Sequence, residues 1–256
     1  MESWGFVPET FRSGAARLPA PWEDLFGPLR AGAVDDIVAV GQIGQSLDGR
    51  IATPTGHSHY INGPAGLDHL HRLRALADAV VVGIGTALAD DPQLTVRRVA
   101  GPQPARAVID PGGRLPGGAR LLAADGVRRI VIAAAGVRPP LPPDIEVVPL
   151  PKAGGRIAPA AILKALAERG LRRILIEGGA ETVSRFLAAG CLDRLHVVVA
   201  PIVLGSGRTG INLPPIERAD QAMRMPMHVH RLDDEVLFDC DLSAQRVPVG
   251  RARKST

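Results

Sequence analysis

The strongest chemical signal in the sequence is a pair of glycines at the junction of a strand and a helix. Glu177 ends an apolar strand pattern, Gly178 and Gly179 follow it, and a helical pattern begins at Ala180. Glycines let the backbone approach a ligand closely, and the free N–H groups and dipole of the following helix favour an anion. A pyrophosphate is the group that such a turn would bind best. The alternative is an ordinary tight turn that binds no ligand.

A second glycine turn of the same kind lies earlier in the chain. A run of valines leads into Gly83, Gly85 and Thr86. This turn is not the Rossmann fingerprint, because Leu88 stands where the third glycine should fall. In parallel α/β sheets ligands collect at the carboxyl ends of the strands. The sequence therefore predicts two phosphate-binding turns that face one crevice.

Two arginines are candidates for binding an anionic ligand. On a predicted helix Leu67, Leu70 and Ala77 share one face, and helical spacing places Arg74 on that same inward face. An inward arginine needs an anion, so Arg74 either binds a ligand phosphate or forms a salt bridge with a structural carboxylate. Arg97 brings a second guanidinium further along the chain, which favours the ligand phosphate.

Histidines in the spacing His-x-His could suggest a metal site, but their surroundings do not support one. The pairs are His57/His59, His69/His71 and His228/His230. The middle pair falls in a helical pattern, where this spacing separates the two rings. No pair is accompanied by a cluster of carboxylates or cysteines. We therefore expect no catalytic metal.

The elements that must position these residues form an α/β pattern, in which short apolar runs alternate with helical stretches. Strands are predicted at residues 37–44, 79–84, 105–110, 129–134, 145–148, 173–177 and 195–200. Helices are predicted at residues 64–78, 159–169 and 180–189. Residues 227–232 and 236–242 predict a hairpin that turns at Asp233-Asp234. We expect one domain, at residues 36–243, with a sheet covered by helices.

The two ends of the chain differ from this domain. Residues 1–35 hold five of the eight aromatic residues, so we expect this extension to pack onto the domain or onto a partner subunit. Residues 244–256 are expected to form a solvated, disordered basic tail. The net charge of +4 is matched by four basic residues of this tail: Arg246, Arg251, Arg253 and Lys254. Because the rest of the chain carries no net charge, we expect no nucleic-acid partner.

Length and composition narrow the class of protein further. The 256 residues are 46% hydrophobic, yet no apolar run is long enough to cross a membrane, and the N-terminus has no secretory signal pattern. The only cysteines, Cys191 and Cys240, lie in unrelated contexts, which is typical of a reducing compartment. We expect a cytoplasmic protein without a membrane partner.

Taken as an ordered set, the motifs resemble the pyrimidine reductases of riboflavin biosynthesis, the reductase domain that is often fused to a zinc deaminase. The resemblance covers roughly residues 37–242, and its motifs are SLDGR (46–50), SHYIN (58–62), DAVVVGIGT (78–86), DDPQLTVR (90–97), RAVID (106–110), IEGGAET (176–182) and VAPIVLG (199–205). It implies a dihydrofolate-reductase-like α/β fold: a mostly parallel central sheet flanked by helices, with a C-terminal hairpin. The deaminase signature, His-x-Glu with Pro-Cys-x-x-Cys, does not occur.

The resemblance also implies roles for individual residues. NADPH would be held by Gln45, Tyr60, Gly83, Thr86, Asp90, Gly178, Gly179, Ala180, Glu181, Thr182 and Arg185. The substrate would be contacted by Ser58, Arg74, Leu94, Arg97 and Glu177. Glu177 is the first candidate for orienting the substrate, and Asp90 is the second candidate for handling a proton. Asp90 also fits a simple turn signal. The family often has tryptophan where Tyr60 stands, and a small residue where Gln45 stands.

The implied reaction reduces 5-amino-6-(5-phosphoribosylamino)uracil to its ribitylamino form, with hydride passing to the sugar C1′. The resemblance further implies a homodimer, and the terminal hairpin offers an edge for pairing. Two alternatives stay open: a reductase of the same fold with a different substrate, and a non-catalytic protein that binds a nucleotide for regulation. The choice of NADPH over NADH rests on the resemblance alone.

Overall fold

A nine-stranded sheet forms the centre of the protein. The computed structural model describes residues 4–32, 34–58 and 61–250. In chain order the strands of this sheet are β1 (Val38–Ser46), β3 (Ala79–Gly83), β4 (Ala105–Ile109), β5 (Arg129–Ala134), β6 (Glu146–Leu150), β9 (Arg173–Ile176), β10 (Arg194–Ala200), β12 (Met227–Leu232) and β13 (Glu235–Asp241). Across the sheet their order is β12-β13-β10-β1-β9-β3-β4-β5-β6. Only β13 pairs antiparallel, with β10 and β12; the remaining pairs are parallel.

Helices cover both faces of the sheet. They are α1 (Val7–Ser13), α2 (Trp22–Phe26), α3 (Pro64–Leu76), α4 (Ile84–Asp90), α5 (Pro159–Ala167) and α6 (Ala180–Ala188). The first four share one apolar core on one face of the sheet, while α5 and α6 form a second core on the other. Two small antiparallel pairs complete the structure: β2 (Arg50–Ala52) with β11 (Arg208–Thr209), and β7 (Lys152–Ala153) with β8 (Arg156–Ile157). None of the helices in the described ranges is long and apolar enough to span a membrane.

The predicted fold class is confirmed. Each predicted strand and helix of the domain lies within two residues of its observed bounds, and the C-terminal hairpin turns at Asp233 and Asp234. The four short strands β2, β7, β8 and β11 were not predicted, because two or three residues carry too little periodicity to be recognised.

Trp4, Trp22 and Phe26 of the N-terminal extension pack onto α3 of the same chain. Phe26 is fully buried, and its ring stacks on the His69 ring with centroids 5.8 Å apart. The Arg72 guanidinium lies 4.9 Å from the Trp22 ring centroid, a cation–π distance. Trp4 donates its indole N–H to the carbonyl of Ala100 at 2.6 Å. The extension is therefore part of the same core as the sheet.

Two side chains differ from the sequence prediction. Leu67, placed on the inward face of α3, is 40% exposed, while His69 and Leu73 are buried instead. The inward face is thus rotated from the one that apolar spacing indicated. Arg246, assigned to the solvated tail, is buried and donates from Nε to Asp193 at 2.9 Å. A long-range ion pair of this kind leaves no local pattern in the sequence.

Glu235, at the start of β13, caps the N-terminus of α3 from a distance. Its Oε1 accepts from the Asn62 amide at 2.8 Å and from the Gly63 N–H at 3.0 Å, and its Oε2 accepts from the Gly66 N–H at 2.7 Å. A carboxylate satisfies N–H groups that would otherwise be buried without a partner, and it opposes the positive end of the helix dipole. The hairpin therefore fixes the helix that carries Arg74.

We expect Glu235→Ala to lower the free energy of unfolding by about 2–4 kcal/mol, because one buried and two partly buried donors lose their charged acceptor. Urea denaturation followed by circular dichroism measures this difference. Glu217→Ala, a change at an exposed glutamate, is the matched control and should stay within about 0.5 kcal/mol of wild type. A Glu235 variant as stable as this control would contradict the capping role.

Candidate active site

A buried ion pair stands at the carboxyl end of β9. Arg74 donates from Nε to Glu177 Oε1 and from Nη2 to Glu177 Oε2, each at 2.7 Å. Both side chains are more than 90% buried. Burial by itself would lower the pKa of Arg74, but the Glu177 carboxylate outweighs it and the net shift is upward. The bidentate geometry holds the carboxylate in one orientation.

The structure shows one of the two roles that the sequence left open for Arg74, a salt bridge with a carboxylate. Its carboxylate partner is itself a predicted site residue rather than a distant structural group. Arg74 uses a third N–H, from Nη1, on the Thr95 carbonyl at 3.0 Å. A guanidinium has five N–H donors, so two remain for a ligand.

Further arginines lie beside the ion pair. Arg97 is exposed, and its Nη1 donates only to the Thr95 hydroxyl, at 3.3 Å, within the described part of the chain. Burial lowers the pKa of Arg97, and repulsion from Arg74, Arg120 and Arg98 lowers it further. Among the described residues no carboxylate lies within 4 Å of the Arg97 or Arg120 guanidinium. This surplus of positive charge favours a dianionic group such as a phosphate.

The two glycine turns pack directly against each other, as neighbours at the ends of β9 and β3. Gly178 has φ +70°, and a Cβ there would lie 2.6 Å from Thr86 Cγ2. A Cβ on Gly83 would lie 2.3 Å from the Thr182 hydroxyl. Each turn therefore needs glycine in order to admit the threonine of the other. This contact brings the two predicted turns together at the carboxyl ends of β9 and β3.

The start of α6 is suited to an anion. Its N-cap is Gly179, and no side chain caps its first turn, in contrast to the N-terminus of α3. Uncapped N–H groups at the positive end of a helix dipole form a phosphate site. Two predicted cofactor residues of α6 turn toward the β7–β8 pair: Glu181 lies 3.2 Å from Arg156, and Arg185 donates to the Ile157 carbonyl at 2.8 Å.

We expect Gly178→Ala to weaken NADPH binding by about tenfold or more, because the left-handed backbone and the contact with Thr86 both oppose a Cβ. Fluorescence titration with NADPH measures the Kd. Gly118→Ala, at an exposed glycine with nothing within 4 Å of the added Cβ, is the control and should bind like wild type. Equal NADPH affinity in the two variants would show that the turn is not part of the cofactor site.

The structure places the remaining predicted residues in different surroundings. Asp90 is exposed at the last position of α4, and no hydrogen bond or ion pair within the described ranges joins it to Glu177. Leu94 is buried in the core, with a left-handed backbone of φ +55°. Ser58 is half-buried. Gln45 lies against Gly210: its Oε1 would be 2.6 Å from a Cβ added to that glycine. Tyr60 lies outside the described residues.

Two residues next to the site, Arg120 and His71, were not predicted from the sequence. Arg120 follows a loop from β4, and its backbone N–H donates to Asp91 at 2.8 Å, which brings it near Arg97. His71 is buried on α3 and accepts the Arg97 N–H. Only their spatial neighbours give these residues a role, so sequence spacing could not indicate them. Within the described ranges no group of three or more His, Cys, Asp or Glu side chains could hold a metal ion.

Comparison with known proteins relates this geometry to a family. The model of the RibD C-terminal domain matches residues 39–238, which include most of β1, most of β13 and every element between them. The chain belongs to the RibD C-terminal domain family. The matched span includes Arg74, Arg97, Glu177 and both glycine turns, so the candidate site lies within the part that defines the family.

Three relatives illustrate the range of this family. The chain is 36% identical over 194 residues to 2,5-diamino-6-ribosylamino-4(3H)-pyrimidinone 5′-phosphate reductase of Methanothermobacter thermautotrophicus, covering 71% of this chain and 87% of that protein. It is 36% identical over 184 residues to the riboflavin biosynthesis protein RibD of Mycobacterium tuberculosis, covering 70% of this chain but 46% of that one. The structure of the Thermotoga maritima diaminohydroxyphosphoribosylaminopyrimidine deaminase/5-amino-6-(5-phosphoribosylamino)uracil reductase superposes with a TM-score of 0.69 at 25% identity, covering 86% and 59%. This chain thus spans about half the length of the Mycobacterium and Thermotoga relatives.

Proposed function

We propose that this protein reduces 5-amino-6-(5-phosphoribosylamino)uracil to the ribitylamino product with NADPH, as a step of riboflavin biosynthesis. The observation that carries the proposal is the buried Arg74–Glu177 pair beside the Arg97 guanidinium, which has no carboxylate partner among the described residues. This arrangement offers one fixed carboxylate for an uncharged polar group and a cationic surface for a phosphate. The names of the archaeal and Thermotoga relatives support the same reaction class.

The cofactor would lie across the two interlocked glycine turns. The backbone of Gly178 and Gly179 and the uncapped start of α6 would hold its phosphates, with Gly83 and Thr86 on the neighbouring turn. NADPH supplies the hydride when it is bound. The protein aligns the substrate and fixes charge around it.

The substrate would bind between the arginines and Glu177. Arg97 would bind the ribose phosphate, with the remaining N–H groups of Arg74 nearby. Glu177, held rigidly by Arg74, would accept hydrogen bonds from the substrate and orient its sugar C1′. In the open-chain imine C1′ gains a hydride and the attached nitrogen gains a proton. Asp90, exposed at the end of α4, is our candidate for delivering that proton from solvent.

A second candidate substrate is the 2,5-diamino pyrimidinone, in which an amino group replaces the exocyclic oxygen at C2. It is favoured by the archaeal relative that bears its name, because this chain covers 87% of that protein. The sugar phosphate and its carbon C1′ are the same in the two compounds. Arg74, Arg97 and Glu177, which we assign to the sugar phosphate and C1′, would therefore bind either compound in the same way.

A steady-state assay distinguishes these proposals. NADPH oxidation is followed at 340 nm with the uracil or the diamino substrate, and NADH is run in parallel. We expect turnover with NADPH and an increase of about a hundredfold in substrate KM for Arg97→Ala, because a charged phosphate contact is lost. Arg224→Ala, at an exposed arginine outside the site, should behave like wild type. If NADPH binds but is oxidised with neither substrate, the proposed reaction is refuted and the protein is a non-catalytic nucleotide-binding protein.

We also propose that the protein is a cytoplasmic homodimer that pairs through β12. This edge strand exposes Met227 at 55% and Val229 at 60%, an apolar pattern that free edges usually avoid. Cys191 and Cys240 are both buried and do not form a disulfide with each other, which suits a reducing compartment. Sedimentation should give a dimer for wild type and a monomer for Val229→Lys. A monomeric wild type would refute the pairing.

A further inference from the structure

Residues 95–97 form an extended segment that lies outside the sheet and carries Arg97 to the candidate site. Within the described ranges, no backbone–backbone hydrogen bond involves these three residues. An extended segment without a neighbouring strand leaves its N–H and C=O groups in need of other partners. Side chains supply those partners at three consecutive residues.

Each of the three residues is held by a different side chain. The Thr95 carbonyl accepts from Arg74 Nη1 at 3.0 Å. Val96 is held by Gln103 on both sides: its N–H donates to Oε1 and its carbonyl accepts from Nε2, each at 2.7 Å. The Arg97 N–H donates to His71 Nδ1 at 3.1 Å.

His71 is well suited to this acceptor role. It is buried on α3, one turn before Arg74. Burial lowers its pKa to about 3, with repulsion from Arg74, Arg97 and Arg98 adding to the effect. The ring is therefore neutral at physiological pH, and its proton lies on Nε2 because Nδ1 accepts a hydrogen bond. The same arginines that would bind an anion keep His71 in the form that holds Arg97.

Arg98 adds a further anchor on the same helix. Its Nε donates to Asp68 at 2.5 Å and its Nη2 to the Pro64 carbonyl at 3.4 Å. The backbone of 95–97 is thus fixed to α3, while the Arg97 side chain remains exposed and without a carboxylate partner among the described residues. Preorganisation of this kind lowers the entropic cost of binding an anion.

We propose that His71 and Gln103 are positioning residues that set the substrate affinity of the reductase by clamping the backbone of Val96 and Arg97. We assign neither residue a direct contact with substrate or cofactor. The inference rests on the proposed function for its kinetic readout. Its structural readout, the exchange of the Arg97 amide hydrogen, does not depend on that function.

The test compares His71→Leu, which removes the acceptor, with His71→Asn, whose Oδ1 restores an acceptor near the position of Nδ1. We expect the leucine variant to raise the substrate KM about tenfold, with the NADPH KM and kcat within about threefold of wild type. The asparagine variant should recover most of the substrate affinity. Hydrogen exchange across residues 94–98 should be slow in wild type and asparagine, and about tenfold faster in leucine.

Gln103→Met is an independent test if His71→Leu does not fold, because it removes the two hydrogen bonds between Gln103 and the Val96 backbone. It should likewise raise the substrate KM alone and speed amide exchange at Val96. Unchanged exchange in the leucine and methionine variants would overturn the proposal. An equal loss of substrate and NADPH affinity, not rescued by asparagine, would also overturn it. If wild type protects the Arg97 amide but reduces neither pyrimidine, the clamp stands and the proposed function fails.

Discussion

Replacing Arg74 with alanine is expected to lower the free energy of unfolding by about 3–5 kcal/mol and to abolish reductase activity. The substitution leaves Glu177 charged, buried and without its bidentate partner, and an uncompensated buried charge has a cost of this size. It also removes the hydrogen bond to the Thr95 carbonyl. Urea denaturation and NADPH oxidation measure the two effects separately.

A double variant separates the stability of the pair from its function. Arg74→Met combined with Glu177→Leu removes both charges and fills a similar volume, so it should recover most of the lost stability. It should stay inactive, because neither the oriented carboxylate nor the cation remains. Arg218→Ala, which breaks an exposed pair with Asp220, is the control and should leave the stability close to that of wild type. A double variant as unstable as Arg74→Ala, or one with wild-type turnover, would contradict this account.

The protein is expected to lose about 4 kcal/mol of stability between pH 7 and pH 5 through two buried histidines. Burial, and then repulsion from His196, keeps the pKa of His69 well below its usual value. Burial and neighbouring arginines lower the pKa of His71 to about 3. Below about pH 6.5 the unfolded chain binds protons that the folded chain cannot take up, so stability falls with pH. Each histidine contributes a slope of up to about 1.4 kcal/mol per pH unit.

Urea denaturation at a series of pH values measures this loss. His71→Asn should reduce the loss between pH 7 and pH 5 by about 2 kcal/mol, since one of the two titrating groups is gone. The urea m-value serves as the control and should not differ between the variant and wild type. An identical pH dependence in wild type and His71→Asn would contradict a neutral, buried His71.

The sequence predicts the fold well, and the site in part, for identifiable physical reasons. Strands such as β5 and helices such as α5 are long apolar or amphipathic runs with clear boundaries, so their positions follow from periodicity. The glycine turns could be predicted because glycines at the end of a strand indicate a tight turn from the local sequence alone. Their direct contact depends on β9 lying beside β3, and strand order is not encoded locally.

Long-range pairing is what sequence reasoning missed. Arg74 and Glu177 were both selected, but 103 residues separate them and nothing local indicates that they bind each other. The same holds for Glu235, which caps a helix from the far end of the chain. Leu67 was placed inward because it fits the apolar spacing, whereas the real inward face uses His69 and Leu73. Near the site, the contacts of buried polar residues, rather than the apolar spacing, thus determine which face of α3 points inward.

The central claim, that hydride reaches the sugar carbon of a pyrimidine ribosyl phosphate held beside Glu177, is tested most directly by isotope transfer. The protein is incubated with NADPH deuterated at the transferable C4 position of the nicotinamide, and the product is fragmented in a mass spectrometer. We expect one deuterium in the ribityl fragment, at C1′, and none in the pyrimidine ring, with no labelled product from Glu177→Gln at matched time. Deuterium in the ring, or NADPH oxidation without label in the product, would contradict it.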